Sequence, residues 1–148
     1  MELTQRYMTY VVDFERTLKD DDWQRLEQYF TEDAVYEVKN ADFACRLEGR
    51  DAVLAGLRKS VTGFDLRCDR RRIKGTRGPE LNGDQVELDW TVTYSINGAP
   101  DFVLVGGSVA QYEGDRIRYL YDHYPDGMSD EVTAWSKAYA PDFSASYV

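Results

Sequence analysis

From Val86 to Ile96 the chain sets Val86, Leu88, Trp90, Val92, Tyr94 and Ile96 on alternate positions, with Glu87, Asp89, Thr91 and Thr93 between them. A period of two over eleven residues is the signature of a strand with one face in a core and the other toward water. Asn97-Gly98 follows at once, a pair suited to the positive φ angles of a tight hairpin. Such a strand needs partners on both edges and a second layer over its apolar face. Partners are at hand: Phe102 to Tyr112, then Arg116 to Tyr124 after the turn Glu113-Gly114-Asp115, and Phe64 to Lys74 upstream. Gly75 to Asp84, which contains Gly78-Pro79 and Asn82-Gly83-Asp84, reads as a loop, and Gly106-Gly107 as a bulge or sharp bend.

The covering layer is written in the first half of the chain. Leu3, Tyr7, Tyr10, Val11, Phe14 and Leu18 recur at helical intervals, with Glu15, Arg16 and Lys19 on the opposite side. Asp20-Asp21-Asp22 closes this helix, and Asp21 or Asp22 is positioned to cap a second one bearing Trp23, Leu26, Tyr29 and Phe30. Ala34 to Val38 and Phe43 to Leu47 then read as a short hairpin, and Val53, Leu54, Leu57 and Val61 mark a third helix. Residues 129 to 140 fit a short helix, and the last eight residues are expected to be loosely held. Three helices with a hairpin before the third, followed by a four-stranded meander, make an α+β fold. Four long strands would curl around the helices and leave a cone-shaped interior lined by aromatic side chains. At 148 residues the chain fits one domain, with a core over about 5–125 and a C-terminal extension over 126–148.

Composition narrows the function. The net charge of -9 argues against nucleic-acid binding, which runs on excess Lys and Arg. The basic run Arg67, Arg70, Arg71, Arg72, Lys74 and Arg77 would be split between two strand faces, so ion pairs to Glu87 and Asp89 are expected instead. No apolar run is long enough to span a membrane, and the opening residues lack the apolar segment of a secretion signal, so a cytoplasmic location is expected. Cys45 and Cys68, each in a strand-like stretch, are then expected as two buried thiols and not a disulfide. With His123 the only histidine, no CxxC and no GxGxxG or Walker loop, neither a metal nor a nucleotide cofactor is expected.

Three segments carry a resemblance to a known family: Asp22-Trp23 through Leu26, Tyr29-Phe30-Thr31-Glu32-Asp33-Ala34-Val35-Tyr36; Leu47-Glu48-Gly49-Arg50-Asp51-Ala52-Val53; and Tyr112-Glu113-Gly114-Asp115-Arg116-Ile117 with Leu120 and Asp122. Together they resemble the NTF2-like superfamily, in particular its SnoaL-like, polyketide-cyclase-related branch. The resemblance implies the cone-shaped fold, a homodimer formed through the outer sheet face, and a mostly apolar pocket for a small hydrophobic ligand. It does not by itself imply one activity, because this fold hosts many. Set against ketosteroid isomerases, the chain has Phe14, Val38 and Ser108 where the tyrosine, the base and the protonated acid would stand, so that mechanism is not expected. The Arg-x-Asp pair of limonene-epoxide hydrolases is missing around Trp90, and the two histidines of scytalone dehydratases cannot be supplied. The single acid that SnoaL-type cyclases place on the last strand is matched by Asp122.

Two readings of Asp122 stand. Facing an apolar cavity, its carboxyl would be pushed into a useful range and serve as the acid/base of a cofactor-free cyclase, isomerase or lyase. At a strand end, bonded to a tyrosine or to Arg116 or Arg118, it would be structural, and the protein a non-catalytic ligand- or protein-binding module. Tyr10, Phe14, Tyr36, Trp90 and Leu120 are the expected substrate-contacting residues. Adjacent strand residues point to opposite faces, so His123 is expected outside with Tyr119 and Tyr121.

Overall fold

The computed structural model describes residues 2–148. Helix α1 (Leu3–Asp20) opens the chain and is followed by a 3-10 stretch, Trp23–Tyr29. Strands β1 (Phe30–Val38) and β2 (Cys45–Glu48) form a hairpin, and helix α2 (Arg50–Gly63) follows. Then come β3 (Arg70–Asn82), β4 (Gln85–Ser95), β5 (Phe102–Glu113), β6 (Arg116–His123) and helix α3 (Met128–Tyr139). The six strands form one curved, unclosed mixed sheet in the order β2-β1-β6-β5-β4-β3. Every neighbouring pair is antiparallel except β1 and β6, whose parallel pairing sets Val38 beside Asp122.

The inner face carries the residues the alternation marked. Val86, Leu88, Trp90, Val92 and Tyr94 of β4 are buried, as are Phe102, Leu104, Ala110 and Tyr112 of β5. They meet Tyr7 and Tyr10 from α1 and Val53, Leu54 and Leu57 from α2. Helix α1 stops where Asp21 turns into the left-handed region at φ 59, a conformation that aspartate tolerates better than most residues. The Asp21 carboxylate then holds Arg58 of α2 at 2.6 Å and accepts the Trp23 indole N–H.

Several local expectations are corrected. The second helix is a 3-10 turn that Asp22 precedes without a side-chain cap, and β1 starts earlier, at Phe30. The segment from Phe64 is not yet strand: Phe64 ends α2 against Tyr94, Trp135 and Phe143, and a 3-10 turn, Asp65–Arg67, delays β3 to Arg70. Cys68 therefore lies outside the strands, and both thiols are free and half-buried. The expected loop over 75–84 is the far half of β3 as far as Asn82, and only Gly83-Asp84 is the turn. An edge strand tolerates Gly78-Pro79 because its outer N–H row is unpaired, and the register slips there between Arg77 and Glu80.

Gly106-Gly107 makes no bulge, since pairing with β4 runs through it without a slip. Those glycines permit close approach. A Cβ on Gly106 would sit 2.7 Å from the Trp90 ring inside, and one on Gly107 2.5 Å from the His123 ring outside. The last residues are not loosely held either. The Ser144 N–H donates to the Gly63 carbonyl, Ser60 Oγ donates to the Ala145 carbonyl, and Arg67 pairs with Asp142 at 2.6 Å.

Candidate functional site

Between the helices and the concave face lies a cavity of about 150 Å³. Tyr10 and Phe14 reach it from α1, Tyr36 from β1, Trp90 from β4 and Leu120 and Asp122 from β6. The six residues singled out in the sequence thus share one wall system. The sequence reading missed Ser108 as a partner, having noted only its lack of a carboxyl. It also missed Tyr147, which sits in the segment expected to be loose. The sheet register could have found Ser108, which is paired directly with Asp122 across β5 and β6.

Asp122 is held at both oxygens. Ser108 Oγ donates to Oδ1 at 2.5 Å, and the Tyr36 hydroxyl donates to Oδ2 at 2.6 Å. Trp90 Nε1, which can only donate, reaches Ser108 Oγ at 2.9 Å and so commits the serine proton to the carboxylate. The Tyr147 hydroxyl lies 3.1 Å from that of Tyr36. Among the described residues no arginine bonds to Asp122, and Arg116 instead reaches the Phe30 carbonyl. Burial pushes the Asp122 carboxyl above its ordinary range, while the bonds from Ser108 and Tyr36 and the nearby His123 pull the other way; desolvation wins. Burial also pushes the Tyr36 hydroxyl well up, so that it stays protonated and able to donate.

A second polar group lines the cavity at the β3 side. Arg71 points inward, with Nε 2.6 Å from Asp65 and a terminal nitrogen 2.6 Å from Glu15 of α1, and the Tyr94 hydroxyl donates to Asp65 at 3.1 Å. The basic run is thus dispersed: Arg71 inward, Arg77 on Asp89, Arg72 on Asp101 and Arg67 on Asp142. Among the ion pairs of the described residues Glu87 takes no part, contrary to expectation.

His123 is not a member of the cavity wall; its ring lies against Tyr121 with centroids 5.7 Å apart. Among the described residues no cluster of three metal-ligating side chains exists, and no helix is long and apolar enough to cross a membrane. Chemically, the site offers one desolvated carboxyl able to exchange a proton, neutral hydroxyls around it, and aromatic walls.

A curved sheet closed by helices over such a hollow defines the NTF2-like class of α+β folds. An NTF2-like protein of unknown function from Burkholderia pseudomallei superposes with a TM-score of 0.67 at 15% identity, over 91% of this chain and 98% of that one. A hypothetical protein of ketosteroid isomerase-like fold from Catenulispora acidiphila, solved with trimethylamine, gives 0.63 at 18% over 86% and 92%. A candidate polyketide cyclase from Xanthomonas campestris pv. campestris gives 0.60 at 20% over 90% and 98%. Comparison with curated proteins yields no significant match. Within the NTF2-like class, residues 11–120 match the SnoaL-like domain, and the chain belongs to that family.

Proposed function

We propose that the protein is a cofactor-free acid/base enzyme acting on a small, mostly apolar carbonyl compound, by cyclase, isomerase or lyase chemistry. One observation carries the reading: Asp122 is desolvated on the wall of an aromatic cavity, with its carboxyl raised toward the range where it can both take and return a proton. In its ionised form it accepts a proton from the carbon next to the substrate carbonyl, leaving an enolate. A wall hydroxyl not already bonded to a carboxylate, such as that of Tyr7 or Tyr124, would donate to the new oxyanion. In its protonated form Asp122 returns the proton to carbon or to an alkoxide, which completes isomerisation or ring closure. A hollow of about 150 Å³ matches a molecule near the size of benzene. A hollow of this size favours compact substrates over extended polyketide chains.

The test needs no knowledge of the natural substrate. Small cyclic ketones incubated in D₂O with the protein should exchange their α-hydrogens for deuterium faster than in buffer, read by proton NMR. Asp122→Asn should lose that acceleration by 100-fold or more, the scale of positioned acid–base catalysis. Exchange that is equally fast in the Asn variant would end the proposal.

A second reading has its own support: both Asp122 oxygens are already bonded within the protein, as suits a structural acid in a non-catalytic binding module. Binding of the same ketones by both forms, with no exchange by either, would favour it. We also propose a homodimer through the outer sheet face, supported by exposed Val103 and Val105 on that face of β5.

A further inference from the structure

We propose that Tyr147 is a positioning residue of the Asp122 site, its hydroxyl fixing the direction in which Tyr36 donates. This deepens the acid/base reading and rests on it for its purpose, but not for its geometry. Tyr147, like Asp122 itself, lies outside the family match at 11–120.

The chain spends helix-unfavourable residues to bring Tyr147 in. Gly56, Ser60 and Gly63 lie four and then three residues apart, on one face of α2. A Cβ on Gly63 would be 2.2 Å from the Ser144 carbonyl oxygen, and one on Gly56 would be 3.1 Å from that of Tyr147. Ser60 between them donates to the Ala145 carbonyl at 2.7 Å. The C-terminal segment therefore runs directly on the α2 backbone. It delivers the Tyr147 ring against Tyr36, with centroids 5.2 Å apart, and Phe43 packs on its other side.

Counting protons gives the role. Tyr36 has a single hydroxyl proton. When Asp122 is ionised, Tyr36 gives that proton to Oδ2, and the 3.1 Å contact is made by the Tyr147 proton. When Asp122 is protonated, it donates to Tyr36, whose own proton turns to Tyr147. On the other side Ser108 Oγ accepts from Trp90 Nε1 and donates to Oδ1. Tyr147 thus closes the reversible half of the network, and its donation strengthens Tyr36 as a donor to the carboxylate. The titratable groups coupled to Asp122 are Tyr7 and Tyr10 from α1, Tyr36 from β1, Cys45 from β2, Tyr124 and Tyr147, with His123 on its own strand. Burial holds these hydroxyls and the thiol neutral in the range concerned, and the charged groups of the same cavity, Arg71 with Asp65 and Glu15, are paired with one another at its β3 side.

The experiment titrates Asp122 in protein carrying ¹³C-carboxyl aspartate, its signal identified by loss in Asp122→Asn. Tyr147→Phe keeps the ring and deletes the hydroxyl; its Asp122 midpoint should move up by roughly 0.2–0.6 pH, a fraction of one charge-assisted hydrogen bond. Deleting residues 144–148 admits water to the carboxyl and should move the midpoint down. Opposite signs from the two variants support the proposal. A Tyr147→Phe midpoint equal to that of the parent, or lower, overturns it and leaves Tyr147 a plug. The titration reads the resting protein, so it can fail while ketone exchange succeeds, or the reverse.

Discussion

Asp122 costs the fold something, and the sign of that cost can be measured. Burial raises its folded pKa above the unfolded value of about 3.9. Between the two values the unfolded chain has already released its proton while the folded chain still holds one. Stability therefore falls as pH rises through that window, and the loss is complete above the folded value. Asp122→Asn removes the titration yet keeps an oxygen for Ser108 and places an N–H toward Tyr36. The variant should melt with the parent near pH 4 and above it at pH 8, by about 2–4 °C for each kcal/mol of relieved cost in a chain of this length. Thermal melts across pH 4 to 8 check this, and a gap that does not widen with pH would mean that the carboxyl pays no desolvation penalty. A variant that is more stable and less active is the usual mark of a residue kept for chemistry.

At the scale of elements, the core strands were legible because alternation and burial coincide. From Val86 to Tyr94 each residue marked as inward is buried. Helices α1 and α2 were legible for the same reason, at their own period. The edge was not: the far half of β3 is exposed on both faces, so no alternation betrays it, and Gly78-Pro79 reads as a loop although an edge strand can hold it. Of the candidate site, Asp122, Tyr36, Trp90, Tyr10, Phe14 and Leu120 were reachable from pattern and resemblance, and all line the cavity. Ser108 and Tyr147 were not, because their place depends on cross-strand register and on a segment that carries no periodicity of its own.

The glycines of α2 held the missing signal. A helix that retains Gly56 and Gly63 on the face of Ser60 is accommodating a backbone. Gly63→Ala should accordingly invert the usual gain from removing a glycine. Its Cβ meets the Ser144 carbonyl oxygen at 2.2 Å, and the variant should lose on the order of 1–2 kcal/mol in urea unfolding while becoming cleavable near residues 140–148. Unchanged or increased stability with an intact tail would remove the close contact from the account.

For the whole molecule, the sheet divides two tasks. Its concave face holds the cavity, and the ion-paired Arg71 ties that face to α1 through Glu15 and to the turn before β3 through Asp65. Its convex face is polar on β4, where Glu87, Asp89, Thr91 and Thr93 look outward, as expected of a sheet with one wet side. On β5 the same face presents Val103 and Val105, which are 46% and 38% exposed at the start of the strand, beyond the end of β6. A homodimer through this face would cover them. Replacing both with glutamate then leaves unpaired charges in the interface, at a cost of several kcal/mol. Light scattering on the parent should give twice 17.1 kDa, and Val103→Glu with Val105→Glu should give 17.1 kDa with an unchanged circular dichroism spectrum. A parent that stays at 17.1 kDa at about 100 μM, where a stable interface with Kd near 1 μM or below would be filled, removes the dimer. Because the substituted side chains point away from the cavity, the glutamate variant should keep the parent's Asp122 titration, so that assembly and acid/base chemistry can be judged apart.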